Sequence, residues 1–268
     1  NTVNVTNAEA SSILTVTRSG STVTLNDTSA TEGFGDDIYN NVNQVNITGN
    51  TGTDTFTLND ANANNIDGAG GTDSVTYSTA TDIAINFNAP NTAIVTGSFT
   101  GTDTVTNVEE FNTGAGDDTF TFNSSVGNLT LNSGGGSNTY EFDAVDGNIN
   151  ITDTGGNTFL DFSGYTDGAR IDLGSSSSQT VSMSDSSLLV TLNGTFDNIV
   201  GSTFSDNISG TSGIDTIYGG NGNDFIWGED GNDTVTVLTN SFFDEADGGL
   251  DTDVLQAVTP NAYANGGS

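Results

Sequence analysis

The sequence predicts an all-β protein: a right-handed parallel β-solenoid, or β-roll, closed at its N-terminal end by a β-hairpin. Three observations predict it. Apolar and polar residues alternate in short runs, the period of a half-buried strand. Turns rich in glycine and aspartate recur at a near-constant spacing, as in a chain built from stacked repeats. Two prolines in 268 residues and no capped amphipathic run argue against substantial helix.

Residues 1–30 contain LTVTRSGSTVTL (14–25), two alternating runs around Ser19-Gly20-Ser21, which read as a hairpin. Such a hairpin suits a cap, because the end of a solenoid exposes unpaired backbone. Residues 31–200 read as solenoid coils. The units GNTGTDTFT (49–57), GAGGTDSVT (68–76), SFTGTDTVT (98–106) and TGAGDDTFT (113–121) place Asp54, Asp73, Asp103 and Asp118 just before short apolar runs. SGGGSNTYEF (133–142) and TGGNTFLDF (154–162) keep the glycines but put Asn138 and Asn157 where Asp would sit. Those coils are expected to stack on amide and backbone hydrogen bonds without ions.

Pairs such as Phe120/Phe122, Leu129/Leu131, Tyr140/Phe142 and Ile149/Ile151 read as strands with one buried face. Two strands per step of near twenty residues make a coil. One coil cannot bury its apolar face alone, and stacking makes the core continuous. The stretches 77–112 and 163–200 carry longer strands and read as two copies of one wider coil. The polar tail 256–268, ending NGGS, reads as loose. The chain opens on Asn1 with no visible signal peptide, which suggests a processed chain or a segment of a longer one.

Residues 201–255 hold the sharpest pattern. GSTFSDNIS (201–209), GTSGIDTIY (210–218), GGNGNDFIW (219–227) and GEDGNDTVT (228–236) follow one another without a gap. Gly201, Gly210, Gly219 and Gly228 open them, and Asp206, Asp215, Asp224 and Asp233 stand sixth. Ile208, Ile217, Ile226 and Val235 stand eighth. A later variant, GGLDTDVL (248–255), places Asp251 at the fourth position, carries Asp253, and breaks the nine-residue register.

These units resemble the repeats-in-toxin (hemolysin-type) nonapeptide G-G-x-G-x-D-x-U-x, a calcium-binding β-roll repeat. The match is carried by Gly219, Gly220, Asn221, Gly222 and Asp224, is looser at Ser202, Phe204 and Glu229, and extends as further candidate calcium ligands to Asp54, Asp73, Asp103 and Asp118 in the looser units and to Asp253. The resemblance implies that a calcium ion sits between stacked loops eighteen residues apart, pairing Asp206 with Asp224 and Asp215 with Asp233. Backbone carbonyls of the first four loop positions complete the shell. The chemistry is consistent: calcium takes six to eight oxygens, carboxylate and carbonyl alike. Glycine gives the loops access to positive φ, Asp supplies charge, and the eighth residue anchors the following strand.

Composition narrows the function. Thirty-five acidic residues against Arg18 and Arg170 give a net charge of −33. Nucleic-acid binding is expected to be absent, for want of a cationic footprint, and no segment is apolar enough to insert in a membrane. With 32% hydrophobic residues, the chain is expected to need charge neutralisation to fold. The absence of His and Cys removes zinc-protease, Ser-His-Asp and thiol chemistry, and no enzyme is expected. The expected role is a secreted, calcium-dependent structural or adhesive protein: a surface layer, matrix fibre or adhesin segment, self-associating through solenoid ends or edges. Two alternatives stand beside it: a non-catalytic calcium module of a larger secreted enzyme or toxin, and a polysaccharide-acting solenoid enzyme. Polysaccharide is a candidate partner, with Trp227 a candidate sugar-stacking ring.

Overall fold

An alternating chain of short apolar runs can satisfy its backbone N–H and C=O groups only against a neighbouring segment. Here each coil pairs with the coils before and after it. The computed structural model describes residues 2–6, 12–19, 22–27, 37–40, 44–59, 63–77, 80–97, 101–143, 145–184, 187–238 and 244–259. Among these, every regular element is a strand.

The strands form three sheets of thirteen, ten and four. The thirteen-stranded sheet runs from Thr2–Thr6 to Val254–Val258. Its pairings are mostly parallel, as with Thr119–Phe122 against Thr139–Phe142. The ten-stranded sheet faces it from Asp54–Asn59 to Leu188–Gly194. The four-stranded sheet, opened by Arg170–Asp172, then takes over through Asn207–Ser209, Phe225–Trp227 and Glu245–Asp247.

Parallel, in-register stacking puts like side chains over one another. Phe87, Phe122, Phe142 and Phe162 form a column with successive ring centroids 5.2, 4.9 and 4.5 Å apart. Ile199, Ile217 and Val235 form a second column in the repeat block. Each large apolar side chain buried this way contributes roughly 1.5–3 kcal/mol.

The structure revises three expectations. The wide coils are not copies. In the first, Ile83–Ala89, Thr92–Gly97 and Gly101–Thr106 form an antiparallel meander within the thirteen-stranded sheet. Its first turn is Pro90-Asn91, with Asn91 at φ 53°. In the second, Gln179–Thr180 pairs antiparallel with Leu188–Gly194, and Arg170–Asp172 starts the third sheet. The N-terminal segment is more than a hairpin. Ser12–Ser19 pairs antiparallel with Thr22–Asp27, which pairs antiparallel with Asp37–Asn40. Ser12–Ser19 also lies parallel to Asp54–Asn59, which joins the cap to the second sheet. Gly20 and Ser21 of the turn lie outside the described residues. The tail begins later than expected, because Gln256, Ala257 and Val258 pair with the strand Thr234–Leu238. Residues 260–268 lie outside the described residues.

Candidate metal centre

The loops between sheets carry the aspartates. Loops 201–206 and 219–224 lead from the first sheet to the third, and loops 210–215 and 228–233 lead back. Two stacks of loops therefore line two edges of the solenoid. The apolar residue two places after each Asp enters the core and pulls the carboxylate inward. Asp206, Asp215, Asp224 and Asp233 are all buried.

A ladder of hydrogen bonds joins each stack. The Asp206 N–H donates to Asp224 Oδ1 at 3.0 Å, and the Asp224 N–H to Asp244 Oδ1 at 3.1 Å. On the other edge the Asp215 N–H donates to Asp233 Oδ1 at 2.9 Å, and the Asp233 N–H to Asp253 Oδ1 at 3.1 Å. Asp224 and Asp233 thus each spend one oxygen on the backbone of the coil before them, as Asp206 Oδ1 does on the Ala169 N–H at 2.6 Å.

The second oxygen separates two kinds of loop. In 201–206, Asp206 Oδ2 accepts from the Ser202 N–H at 2.7 Å and Oδ1 from the Ser202 hydroxyl at 2.7 Å. In 210–215, Asp215 Oδ2 accepts from the Thr211 N–H at 2.7 Å. These loops satisfy their own carboxylates. Loops 219–224 and 228–233 do not: Asp224 Oδ2 and Asp233 Oδ2 are buried without a hydrogen-bond partner. Their second residues, Gly220 and Glu229, lie at φ 90° and 76°, and their fourth residues, Gly222 and Gly231, at 137° and 135°. With the second residue left-handed, its N–H no longer reaches the carboxylate.

The opening glycines have a different role from the one expected. None of Gly201, Gly210, Gly219 and Gly228 is among the positive-φ residues. Each instead leaves room for oxygen. A Cβ on Gly228 would meet Asp233 Oδ2 at 2.5 Å, and one on Gly219 would meet Asp224 Oδ2 at 2.8 Å. A Cβ on Gly210 would meet Asp215 Oδ2 at 2.7 Å and the Gly228 carbonyl at 2.5 Å. Next to Gly220 lies the Ser202 carbonyl, and next to Gly222 the Phe204 carbonyl. Phe204 keeps that carbonyl in the stack while its ring faces solvent. Asn221 is exposed between the two positive-φ glycines.

Electrostatics agrees with the geometry. Burial, with the Asp206 and Asp244 carboxylates nearby, pushes Asp224 up to about 8, against an ordinary value of 3.8. Burial pushes Asp206 and Asp215 up to about 6 despite their hydrogen bonds, and raises Asp233. A buried carboxylate oxygen with no donor is costly unless a cation meets it. Among the described residues no three carboxylates form a side-chain cage. A cation would take the Asp224 and Asp206 pair, or the Asp233 and Asp215 pair, and complete its shell from loop carbonyls. That mixed oxygen set fits calcium, which tolerates irregular geometry. Bound there, it would supply the positive charge that the second Asp oxygen lacks.

The remaining sequence-predicted residues fall differently. Asp54 and Asp73 stack as the block aspartates do, the Asp54 N–H donating to Asp73 Oδ1 at 2.7 Å. Asp253 is half-buried on the last described coil, twenty residues after Asp233. Asp103 is buried beside an amide, the Asn64 N–H donating to its Oδ1 at 2.7 Å. Asp118 accepts from the Ile83 N–H at 2.9 Å and its own N–H donates to Asn138 Oδ1 at 2.9 Å. Asn138 Nδ2 in turn donates to Asp153 Oδ2 at 3.1 Å, so an amide completes this rung. Asn157 does not occupy the Asp position: it is exposed, and buried Thr158 sits there, its hydroxyl donating to Asp153 Oδ2 at 3.0 Å. The coil step from Asn138 to Thr158 is twenty residues, as it is from Asp118 to Asn138.

Sequence reasoning missed three rungs. Glu109 Oε2 accepts the Asp73 N–H at 2.8 Å, and Asp244 and Asp153 are ladder or network members. A signal existed for Glu109 and Asp244: each is a carboxylate two residues before an inward apolar residue, Phe111 and Ala246.

Comparison with known proteins bears on the repeat block. A search of curated proteins finds none that matches the chain. Residues 200–235 match the family model for the RTX calcium-binding nonapeptide repeat, in four copies. The loops with the stacked aspartates and oxygen-lined glycines are therefore a four-copy block of the repeats-in-toxin calcium-binding nonapeptide family.

Proposed function

We propose that this chain is an extracellular, calcium-folded scaffold, structural or adhesive in role, that self-associates through the end of its solenoid. One observation carries the reading: two edges of the fold hold buried, stacked carboxylates whose second oxygens lack donors. In a chain of net charge −33 such a fold is favoured where calcium is abundant, as outside the cell. The last described coil supports assembly. Leu255 stacks on core residue Val235 yet is 56% exposed, and Val254 beside it is 48% exposed. The end of a second copy would continue the apolar column there.

Sedimentation velocity and negative-stain electron microscopy, with calcium and with chelator, test this. Calcium-dependent filaments, sheets or discrete oligomers that Leu255→Asp abolishes are expected. A monodisperse monomer in both conditions would defeat the assembly reading while leaving the calcium block intact.

An adhesive role toward polysaccharide has its own observation. Phe225 and Trp227 lie two apart on one exposed strand face, with ring centroids 6.4 Å apart and planes 17° apart. Such a flat pair suits stacking against sugar rings. Loss of retardation in polysaccharide-containing gels on Trp227→Ala would support it, and no retardation of the parent protein would remove it.

A further inference from the structure

Outside the matched block, loops 49–54 and 68–73 reproduce the two stacked pairs of the block feature by feature. In the lower loop, Asp54 Oδ2 accepts from the Asn50 N–H at 2.8 Å, as Asp206 and Asp215 accept from Ser202 and Thr211. The Asn50 side-chain amide adds a bond to Asp54 Oδ1 at 3.1 Å, in the role of the Ser202 hydroxyl. The Asp54 N–H then donates to Asp73 Oδ1 at 2.7 Å, as Asp206 does to Asp224 and Asp215 to Asp233.

The upper loop carries the same deficit. Asp73 is 1% exposed, and its Oδ2 is buried without a hydrogen-bond partner, like those of Asp224 and Asp233. That oxygen lies in the space a Cβ on Gly68 would fill, 2.5 Å away, as Asp233 Oδ2 does at Gly228. The Gly68 carbonyl in turn fills the space beside Gly49, as the Gly228 carbonyl does beside Gly210. The backbone matches as well. Ala69 and Gly71 have φ 70° and 132°, against 90° and 137° in 219–224 and 76° and 135° in 228–233. At the second position Ala69 accepts the strain that glycine avoids at 220.

We propose that residues 49–73 form a further calcium-type site, held by the carboxylates of Asp73 and Asp54 with carbonyl oxygens of the two loops. The inference rests on the calcium chemistry of the 200–235 block and extends it to a part of the chain that the family model does not match. The ligand class is a hard divalent cation accepting mixed carboxylate and carbonyl oxygen. The coil at 113–138 sets the limit of the pattern. There Asn138 replaces the upper Asp and its amide donates to Asp153, so the stacked carboxylate pair is missing although Asp118 Oδ2 in the lower loop is also buried without a partner.

Calcium stoichiometry by isothermal titration on the full chain tests the proposal, with Asp73→Asn beside Asp224→Asn/Asp233→Asn. Asparagine is chosen because Asn138 holds the same ladder position in this fold. The expected result is one ion fewer for Asp73→Asn, with the block ions retained. Loss of ions in the block variant but not in Asp73→Asn would overturn this site alone. No change in either would overturn the calcium reading itself. Hydrogen exchange guards against a misfolded variant: in the block variant, calcium must still slow exchange in peptides from 44–77. Exchange there that ignores calcium would also overturn the site.

Discussion

Removing calcium at different pH values separates buried carboxylates from general charge repulsion. In the ion-free fold Asp224 is pushed up to about 8 from an ordinary 3.8. A unit of pKa corresponds to about 1.4 kcal/mol, so ionising Asp224 inside that fold costs on the order of 5 kcal/mol. Asp206 and Asp215, each pushed up to about 6, add on the order of 3 kcal/mol apiece by the same conversion. Because these folded-state values lie above the unfolded ones, the stabilisation is complete below about pH 4. It is lost as pH rises through 6 for Asp206 and Asp215 and through 8 for Asp224. The loss is comparable with the whole stability of an ordinary domain, about 5–15 kcal/mol. The chelated repeat block should therefore be folded in mild acid and unfolded at pH 8, and calcium should restore it at pH 8. Far-UV circular dichroism in chelator across this range reads the transition. Asp224→Asn cannot ionise, so its upper transition should flatten. A variant profile identical to that of the parent would refute the reasoning and assign the transition to overall net charge.

Glycine spacing gives a sharp pair of substitutions. Gly231→Ala must hold φ 135° with its Cβ against the Gly213 carbonyl, and should cost roughly 1–3 kcal/mol in thermal unfolding with calcium present. Gly70→Ala meets nothing within 4 Å and should stay within about 0.5 kcal/mol of the parent. Asn138→Asp replaces the donor to buried Asp153 with a second carboxylate and should lower the urea midpoint by the equivalent of roughly 3–5 kcal/mol at neutral pH. Phe142→Ala opens the aromatic column between Phe122 and Phe162, and the same measurement should show a loss of about 3–5 kcal/mol. In chelator, hydrogen exchange should stay slow in 119–153 and become fast in 201–238; uniform exchange across both would contradict the division of the solenoid into amide-closed and ion-closed coils.

The solenoid was legible because its core signal is local: Phe120/Phe122 and Tyr140/Phe142 each declare a strand and an inward face. The stacked Asp206, Asp215, Asp224 and Asp233 were legible because gap-free nonapeptides preserve register. Where spacing loosens, legibility fails for geometric reasons. Matching the glycines of TGGNT put Asn157 a residue short, whereas the constant twenty-residue coil step places Thr158 in the buried position. Glu109 and Asp244 were hidden because a ladder rung needs only a carboxylate ahead of an inward side chain, without a glycine turn. The meander at 83–106 was hidden because alternation fixes a face and leaves strand direction open.

The sixth loop position has two chemical solutions in this chain, and the difference between them is conditional stability. Every rung needs an acceptor for the N–H of the coil before it, and both Asp and Asn supply one. Asn138 then has a donor left for Asp153, and the Tyr140 hydroxyl, 3.1 Å from the same Asp153 oxygen, adds to the network. That rung is complete in any medium. Asp224 and Asp233 have an oxygen left instead, which a proton relieves in acid and a cation would complete at higher pH. Within the repeat block the second loop position separates Asp rungs that have this need from those that do not. Ser202 and Thr211 turn an N–H onto the carboxylate below it, whereas Gly220 and Glu229, left-handed, do not. Each edge of the block therefore holds one self-satisfied loop and, stacked on it, one loop with an unmet carboxylate oxygen. The lower loops thus have their hydrogen bonds without an ion, and a cation would be needed only where the upper loops meet them. Glu229 holds φ 76° at this position, and no N–H reaches Asp233 Oδ2, which is buried and would face a bound cation.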